Sequence, residues 1–169
     1  MKLLNKCFWY IRTFIYRLFG MQIGKRCLIG KPLFILGFKN IIIKDNVRIF
    51  PLSRFEVHNN GEIILNQGVS IGQCFHIISS GNSLKIGKNT LISANVFISN
   101  CEHLQGSTKL IEKETIISDN CFIGYGAVIL PGTKIGNNCV IGANAVVKGT
   151  FPDNSVIAGV PAKVIKKTN

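Results

Sequence analysis

From Ile117 to Pro152 the chain divides without remainder into six blocks of six residues: ISDNCF, IGYGAV, ILPGTK, IGNNCV, IGANAV and VKGTFP. Each opens on Ile or Val. The same division fits IGKRCL and IGKPLF from Ile23, with Ile35 and Ile41 continuing the phase, then IKDNVR and IFPLSR from Ile43, and LNQGVS and IGQCFH from Leu65. It fits again in IGKNTL, ISANVF and ISNCEH from Ile86, and the phase is reset near residues 42, 60 and 80. A helix repeats its faces about every 3.6 residues and a strand about every two, so a period of six is neither. It suits a solenoid in which each block gives one short strand and one turn, its leading aliphatic side chain entering a shared interior. Gly, Asn and Asp after the leading residue supply the turn conformations. An ordinary β-sandwich would have to produce six consecutive in-phase blocks by accident.

At 169 residues the chain is the size of one domain, and 47% hydrophobic residues suffice for a continuous core. Its formal net charge of +12 calls for anionic partners. The basic residues are spread along the chain without a nucleic-acid motif or stacked aromatics, so nucleic acid is not expected, and a phosphorylated cofactor or a lipid surface is. With no cleavable leader and no CxxC pair, the six cysteines read as reduced thiols of a cytoplasmic protein. Cys27, Cys121 and Cys139 each fall four residues after a leading Ile, where a small side chain points inward.

The repeat resembles the hexapeptide signature of the left-handed parallel β-helix acyltransferases over about residues 21 to 166. It is most similar to the galactoside and maltose O-acetyltransferases and to the O-acetyltransferases of capsule and exopolysaccharide clusters. The expected architecture is therefore an all-β, left-handed parallel β-helix over residues 21–169, with a loop excursion at about 104–116, preceded by an amphipathic helix over 1–20. The resemblance implies acetyl-CoA as co-substrate, a homotrimer with the cofactor groove between subunits, and a sugar or oligosaccharide acceptor.

ISNCEH, residues 98–103, is followed by LQGSTKLIEKETI, which breaks the period. Acyl transfer to a hydroxyl needs a base near neutral pKa, and His is suited to it. In the family a catalytic His precedes an excursion that walls the acceptor pocket, which makes His103 the expected base, with Glu102 beside it in sequence. The stretch that binds the acceptor in the sugar acetyltransferases reads QCFHIISSGN here, with Gln73, Cys74, His76 and Asn82 as candidates but without the family's Asp. His58, in HNNGE, reads as a solvated turn residue. The spacing of the three histidines does not suit zinc, and no metal is expected. For the cofactor, carry-over of the family pattern in IGYGAV, IGANAVVKG and AGVPAKVIKK implies Tyr125, Ala143, Lys148 and Gly149 along the groove. Lys163 and Lys166 would meet the phosphates.

The amino-terminal KLLNKCFWYIRTFIYRLFG is different in kind. Leu3, Leu4, Cys7, Phe8, Ile11, Phe14, Ile15 and Leu18 follow helical spacing, Lys2, Lys6, Arg12 and Arg17 are basic, and no acid is present. Residues 1–18 are read either as an interfacial helix giving peripheral membrane association or as a cap on the first coil. The function expected is O-acetylation of a sugar hydroxyl of a polysaccharide or its lipid-linked precursor. The alternatives are N-acetylation of an amino sugar and a non-catalytic solenoid.

Overall fold

The computed structural model describes residues 3–104 and 106–168; the side chains of residues 3–6 also fall outside that description, as does all of Lys2. Three sheets of seven, eight and six strands, parallel but for one return strand at the end of the second, form the walls of a triangular solenoid. Successive blocks contribute to the first, second and third face in turn, and the leading residues stack in register. Ile29, Ile49, Ile71, Ile92, Ile123, Ile141 and Ile157 form one column through the second face. All seven are buried, and each contributes about 1.5–3 kcal/mol relative to an exposed side chain. Ile77, Ile98, Ile129 and Val147 form the equivalent column on the third face.

The second residue of many blocks is Gly because the next coil fills the space a side chain would need. A Cβ on Gly136 would lie 2.3 Å from Asp153 Oδ1, and one on Gly87 2.5 Å from Asp119 Oδ1. Those carboxylates accept hydrogen bonds from the Asn137 and Lys88 amides at 2.8 and 2.7 Å, tying one coil to its neighbour at the first-to-second corner. Asn46, Asn95, Asn120, Asn138 and Asn144 sit in the left-handed region that Asn tolerates at turns.

The inward cysteines do more than fill space. Cys27, Cys121 and Cys139 donate their thiols to Lys44, Gly136 and Pro152 carbonyls of the next coil at 3.1, 3.2 and 3.3 Å. Burial pushes the Cys121 thiol up to about 11 and raises Cys27 as well. In native protein at neutral pH, iodoacetamide should therefore label exposed Cys7 and Cys74 and spare Cys27, Cys121 and Cys139 until denaturant is added. Rapid labelling of Cys121 in the native state, read by mass spectrometry, would contradict this packing.

Every phase reset falls at one corner, the passage from third face to first. Phe38–Asn40 forms a 3-10 turn there, Asn59 and Asn60 turn the next coil, and Gly81 and Asn82 the one after. The longest departure is also there, an antiparallel hairpin of Cys101–His103 with Leu110–Glu112. The excursion thus begins at Cys101, three residues before the spacing predicts, and the coil resumes at Thr115. His103 stands in the hairpin's first arm instead of on the coil that precedes it.

The helix α1, Leu3–Leu18, closes the first coil. Trp9 and Thr13 are buried; Trp9 meets Phe50 edge-on at 5.7 Å and Tyr16 meets Phe38 at 5.5 Å. Arg12 and Arg17, read above as candidates for lipid contact, instead donate to the Ile29 carbonyl and to the Ile23 and Gly24 carbonyls. The capping face is therefore Trp9, Thr13 and Tyr16. Phe8, Ile11, Phe14, Ile15 and Leu18 face outward and stay exposed.

Candidate active site at the interrupted corner

Asn100 fixes the point where the hairpin leaves the coil. It is fully buried. Its Oδ1 accepts from the Ser80 amide at 2.8 Å, and its Nδ2 donates to Ser79 Oγ at 3.1 Å and the Asn82 carbonyl at 2.9 Å. The hairpin's other arm is tied by Glu112, whose Oε1 accepts from Ser80 Oγ at 2.6 Å and Asn59 Nδ2 at 3.1 Å. Those hydrogen bonds, from Ser80 first and then Asn59, hold the Glu112 carboxyl below its ordinary value.

Between hairpin and coil corners opens a cleft of about 380 Å3, lined by His58, Ile78, Ser80, Cys101, His103 and Leu110. His103 is exposed there. Glu102 does not orient it; its carboxylate pairs with Lys148 Nζ at 3.0 Å, linking the hairpin to a coil two turns on. Burial raises the Cys101 thiol above its usual range, outweighing its hydrogen bond with Ser99, so this cysteine is a poor thiolate at neutral pH.

Glu56 is the centre of a second cluster on the outside of the third face, with Arg54 Nε at 2.6 Å, His76 Nε2 at 2.8 Å and His58 Nε2 at 3.5 Å. Burial pushes the Glu56 carboxyl up, but hydrogen bonds from Arg54 and His76 and the Arg54 charge hold it below its ordinary value. His76 also rests edge-on against Phe97, with centroids 5.1 Å apart. His58 is exposed beside the Asn59–Asn60 turn, as its sequence setting suggests, and it also lines the cleft and belongs to this cluster.

The four acceptor candidates are divided by the structure. Asn82 lies at the interrupted corner, its Nδ2 donating to the Glu112 carbonyl at 3.3 Å. Gln73 and Cys74 lie in the turn between second and third faces, at the far end of the strand His76–Ser80. His76 opens that strand, and its side chain is held by Glu56. Asn100, Glu56, Asn59, Ser80 and Glu112 do not stand out in the sequence. The one signal for Glu56 was the polar alternation of Arg54, Glu56 and His58 along a strand whose other residues are buried.

The cofactor candidates are also divided. Tyr125 and Ala143 stack on successive coils at the second-to-third corner, where the Asn144 amide donates to the Tyr125 carbonyl at 2.8 Å and Asn95 donates to the Tyr125 hydroxyl. Lys163, on the return strand Ala162–Lys167, reaches the same corner opposite Ala158, while Lys166 stands opposite Val156 on the second face. Lys148 and Gly149 are at the interrupted corner. A side chain on Gly149, at φ 122°, would meet nothing within 4 Å. Among the described residues no cluster of His, Cys, Asp or Glu suits a metal ion.

Residues 114–149 match the bacterial transferase hexapeptide (six repeats). A putative lipopolysaccharide biosynthesis O-acetyl transferase of Escherichia coli (strain K12) is 39% identical over 132 residues, 69% of this chain and 66% of that protein. The chain thus spans just under two thirds of that relative's length. The N-acyltransferase AntD from Bacillus cereus, solved with dTDP and 3-hydroxybutyryl-CoA, superimposes with a TM-score of 0.81 over 93% of this chain and 88% of its own, at 21% identity. That likeness is one of fold. A galactoside acetyltransferase solved in complex with coenzyme A superimposes with a TM-score of 0.63 at 26% identity, over 94% of this chain and 70% of its own.

Proposed function

Since the chain belongs to the hexapeptide-repeat acyltransferases, we propose that it is an acetyl-CoA-dependent O-acetyltransferase acting on a sugar hydroxyl of a polysaccharide or its lipid-linked precursor. The observation that carries this reading is His103 in the wall of a cleft, on a hairpin pinned by Asn100 and Glu112.

Acetyl-CoA supplies the activated thioester. The small side chain of Ala143 would let a pantetheine arm approach the coil edge beside Tyr125, and Lys163 and Lys166 are exposed and suited to its phosphates. His103 takes the proton of the sugar hydroxyl as its oxygen bonds to the acetyl carbon, and the imidazolium returns that proton to the departing thiolate. The raised Cys101 thiol argues against an acyl-enzyme on the neighbouring cysteine. His58 and Asn59, exposed on the cleft wall, would bind hydroxyls of the acceptor.

His103 and the Tyr125–Ala143–Lys163 row stand at opposite edges of the third face. A homotrimer that sets the hairpin of one subunit against the cofactor row of the next would complete the site, and a requirement for both fits the intersubunit groove implied by the family. Free cysteines and use of acetyl-CoA fit a cytoplasmic enzyme.

The test is release of CoA thiol from acetyl-CoA with a panel of nucleotide sugars and oligosaccharides. The product should be an alkali-labile ester, and specific activity should fall on dilution as subunits separate. An alkali-stable product on an amino sugar would replace the O-acetyl reading with N-acetylation. Full activity in a sedimenting monomer would remove the intersubunit site.

A further inference from the structure

Among the described residues the outward face of α1 has no partner. Phe14 is 60% and Leu18 73% exposed, and Phe8, Ile11, Ile15 and Phe19 extend the same surface. Isolated exposed apolar side chains are common, but a contiguous aromatic and aliphatic set marks an interaction site. The capping contacts of Trp9, Thr13 and Tyr16 fix the helix across the end of the solenoid, so this face is presented along the solenoid's long direction, away from the coils.

The charge around it is one-sided. Residues 1–50 contain ten Lys and Arg against a single acid, Asp45, whereas residues 51–169 contain ten against seven. The first coil carries an exposed cation at each of its three corners: Lys25 and Arg26 at the first, Lys31 at the second and Lys39 at the third. Lys44 and Arg48 on the second coil are exposed as well. Asp45 is engaged by the Lys25 amide at 2.7 Å. An acidic patch on a protein partner would meet one side of such a rim. A rim of positive charge surrounding an apolar centre on all sides matches an extended anionic plane.

We propose that the helix-capped end of the solenoid docks on an anionic lipid surface. Phe8, Ile11, Phe14, Ile15 and Leu18 enter the interface while Lys25, Arg26, Lys31 and Lys39 meet the headgroups. The helix stays on the solenoid, held by Arg12 and Arg17 through carbonyls of the first coil. No helix of the described residues is long and apolar enough to cross a membrane, so the attachment is peripheral and reversible. Each headgroup contact is worth about a fivefold change in affinity at low salt, and exposed charges are screened over about 8 Å at physiological ionic strength.

The experiment is co-sedimentation of the full chain with vesicles of phosphatidylcholine alone and of phosphatidylcholine mixed with phosphatidylglycerol. Binding should require the anionic lipid and weaken at least about tenfold from low to physiological salt. Phe14→Ser with Leu18→Ser should reduce binding about tenfold or more with melting temperature and native mass unchanged, since both side chains are solvent-exposed. Lys25→Glu with Lys31→Glu should reduce it similarly. Failure of the full chain to pellet with anionic vesicles overturns the proposal. So does a lower native mass in the Phe14→Ser, Leu18→Ser variant, which would make a second copy of the chain the occupant. Undiminished binding in that variant overturns it too, because charge alone would then suffice.

Discussion

His103→Ala should fold as the parent protein does and release CoA from acetyl-CoA at least about a hundredfold more slowly, the usual scale for loss of a general base. The side chain is exposed and belongs to a hairpin arm outside the stacked core, so its removal opens no cavity. The companion variant is His76→Ala. His76 is bound to Glu56 and packed on Phe97, at the edge of the third face away from the hairpin, and its loss should leave turnover close to the parent's. A folded His103→Ala protein with parental turnover would move the base elsewhere. A turnover collapse in His76→Ala with His103→Ala unaffected would assign it to the Glu56 cluster.

Asn100→Ala should lower unfolding free energy by about 2 kcal/mol or more. The substitution leaves the Ser80 amide without its acceptor in a place water does not reach, at about 1–3 kcal/mol for a group left unsatisfied, and also removes one hydrogen bond each to Ser79 Oγ and the Asn82 carbonyl. Ser79 retains the Glu62 carbonyl as an acceptor, and the Asn82 carbonyl still accepts from the Glu62 amide at 3.2 Å, so neither of these is orphaned. The hairpin should loosen with its root, exposing Lys109 and Lys113 to trypsin sooner than in the parent, and activity should fall because His103 rides on that arm. Asn100→Asp keeps the acceptor for Ser80 but gives up both donors and buries a charge, so it should not rescue stability. An unchanged urea midpoint in Asn100→Ala would mean that the coil corners hold the hairpin without it.

The spacing of Ile and Val was enough to place nearly every inward side chain, because in a solenoid one block's interior position repeats in the next. It located the break to within three residues as well, the hairpin leaving the coil at Cys101 inside the 98–103 block. What spacing does not reveal is which corner a residue occupies relative to another coil. Glu112 meets Asn59 across 53 residues and Lys148 meets Glu102 across 46, and both distances depend on the lengths of the intervening insertions. For the same reason the residues grouped by family motif separated in space. Gln73 and Cys74 share a short stretch with Asn82, yet a full face of the triangle lies between them. The exposed α1 face shows the complementary limit. Its amphipathic pattern was plain, but the pattern alone did not say which side met the solenoid, and the side with Thr13 and two arginines alongside did so because open carbonyls of the first coil needed donors.

The return strand Ala162–Lys167 runs antiparallel to Ser155–Gly159 and puts Lys163, Lys166 and Lys167 on the outermost edge of the second sheet. A stack of identical parallel rungs otherwise ends in a row of open amides and carbonyls that another stack could continue, which is how fibrils elongate. Here a helix blocks one terminus of the stack. At the other, a reversed, charged strand occupies the widest sheet, while the first and third sheets finish in strands of only two residues, Thr150–Phe151 and Val146–Val147. Polymerisation end to end is thereby disfavoured at both termini, and copies of the chain are left to meet along their flanks.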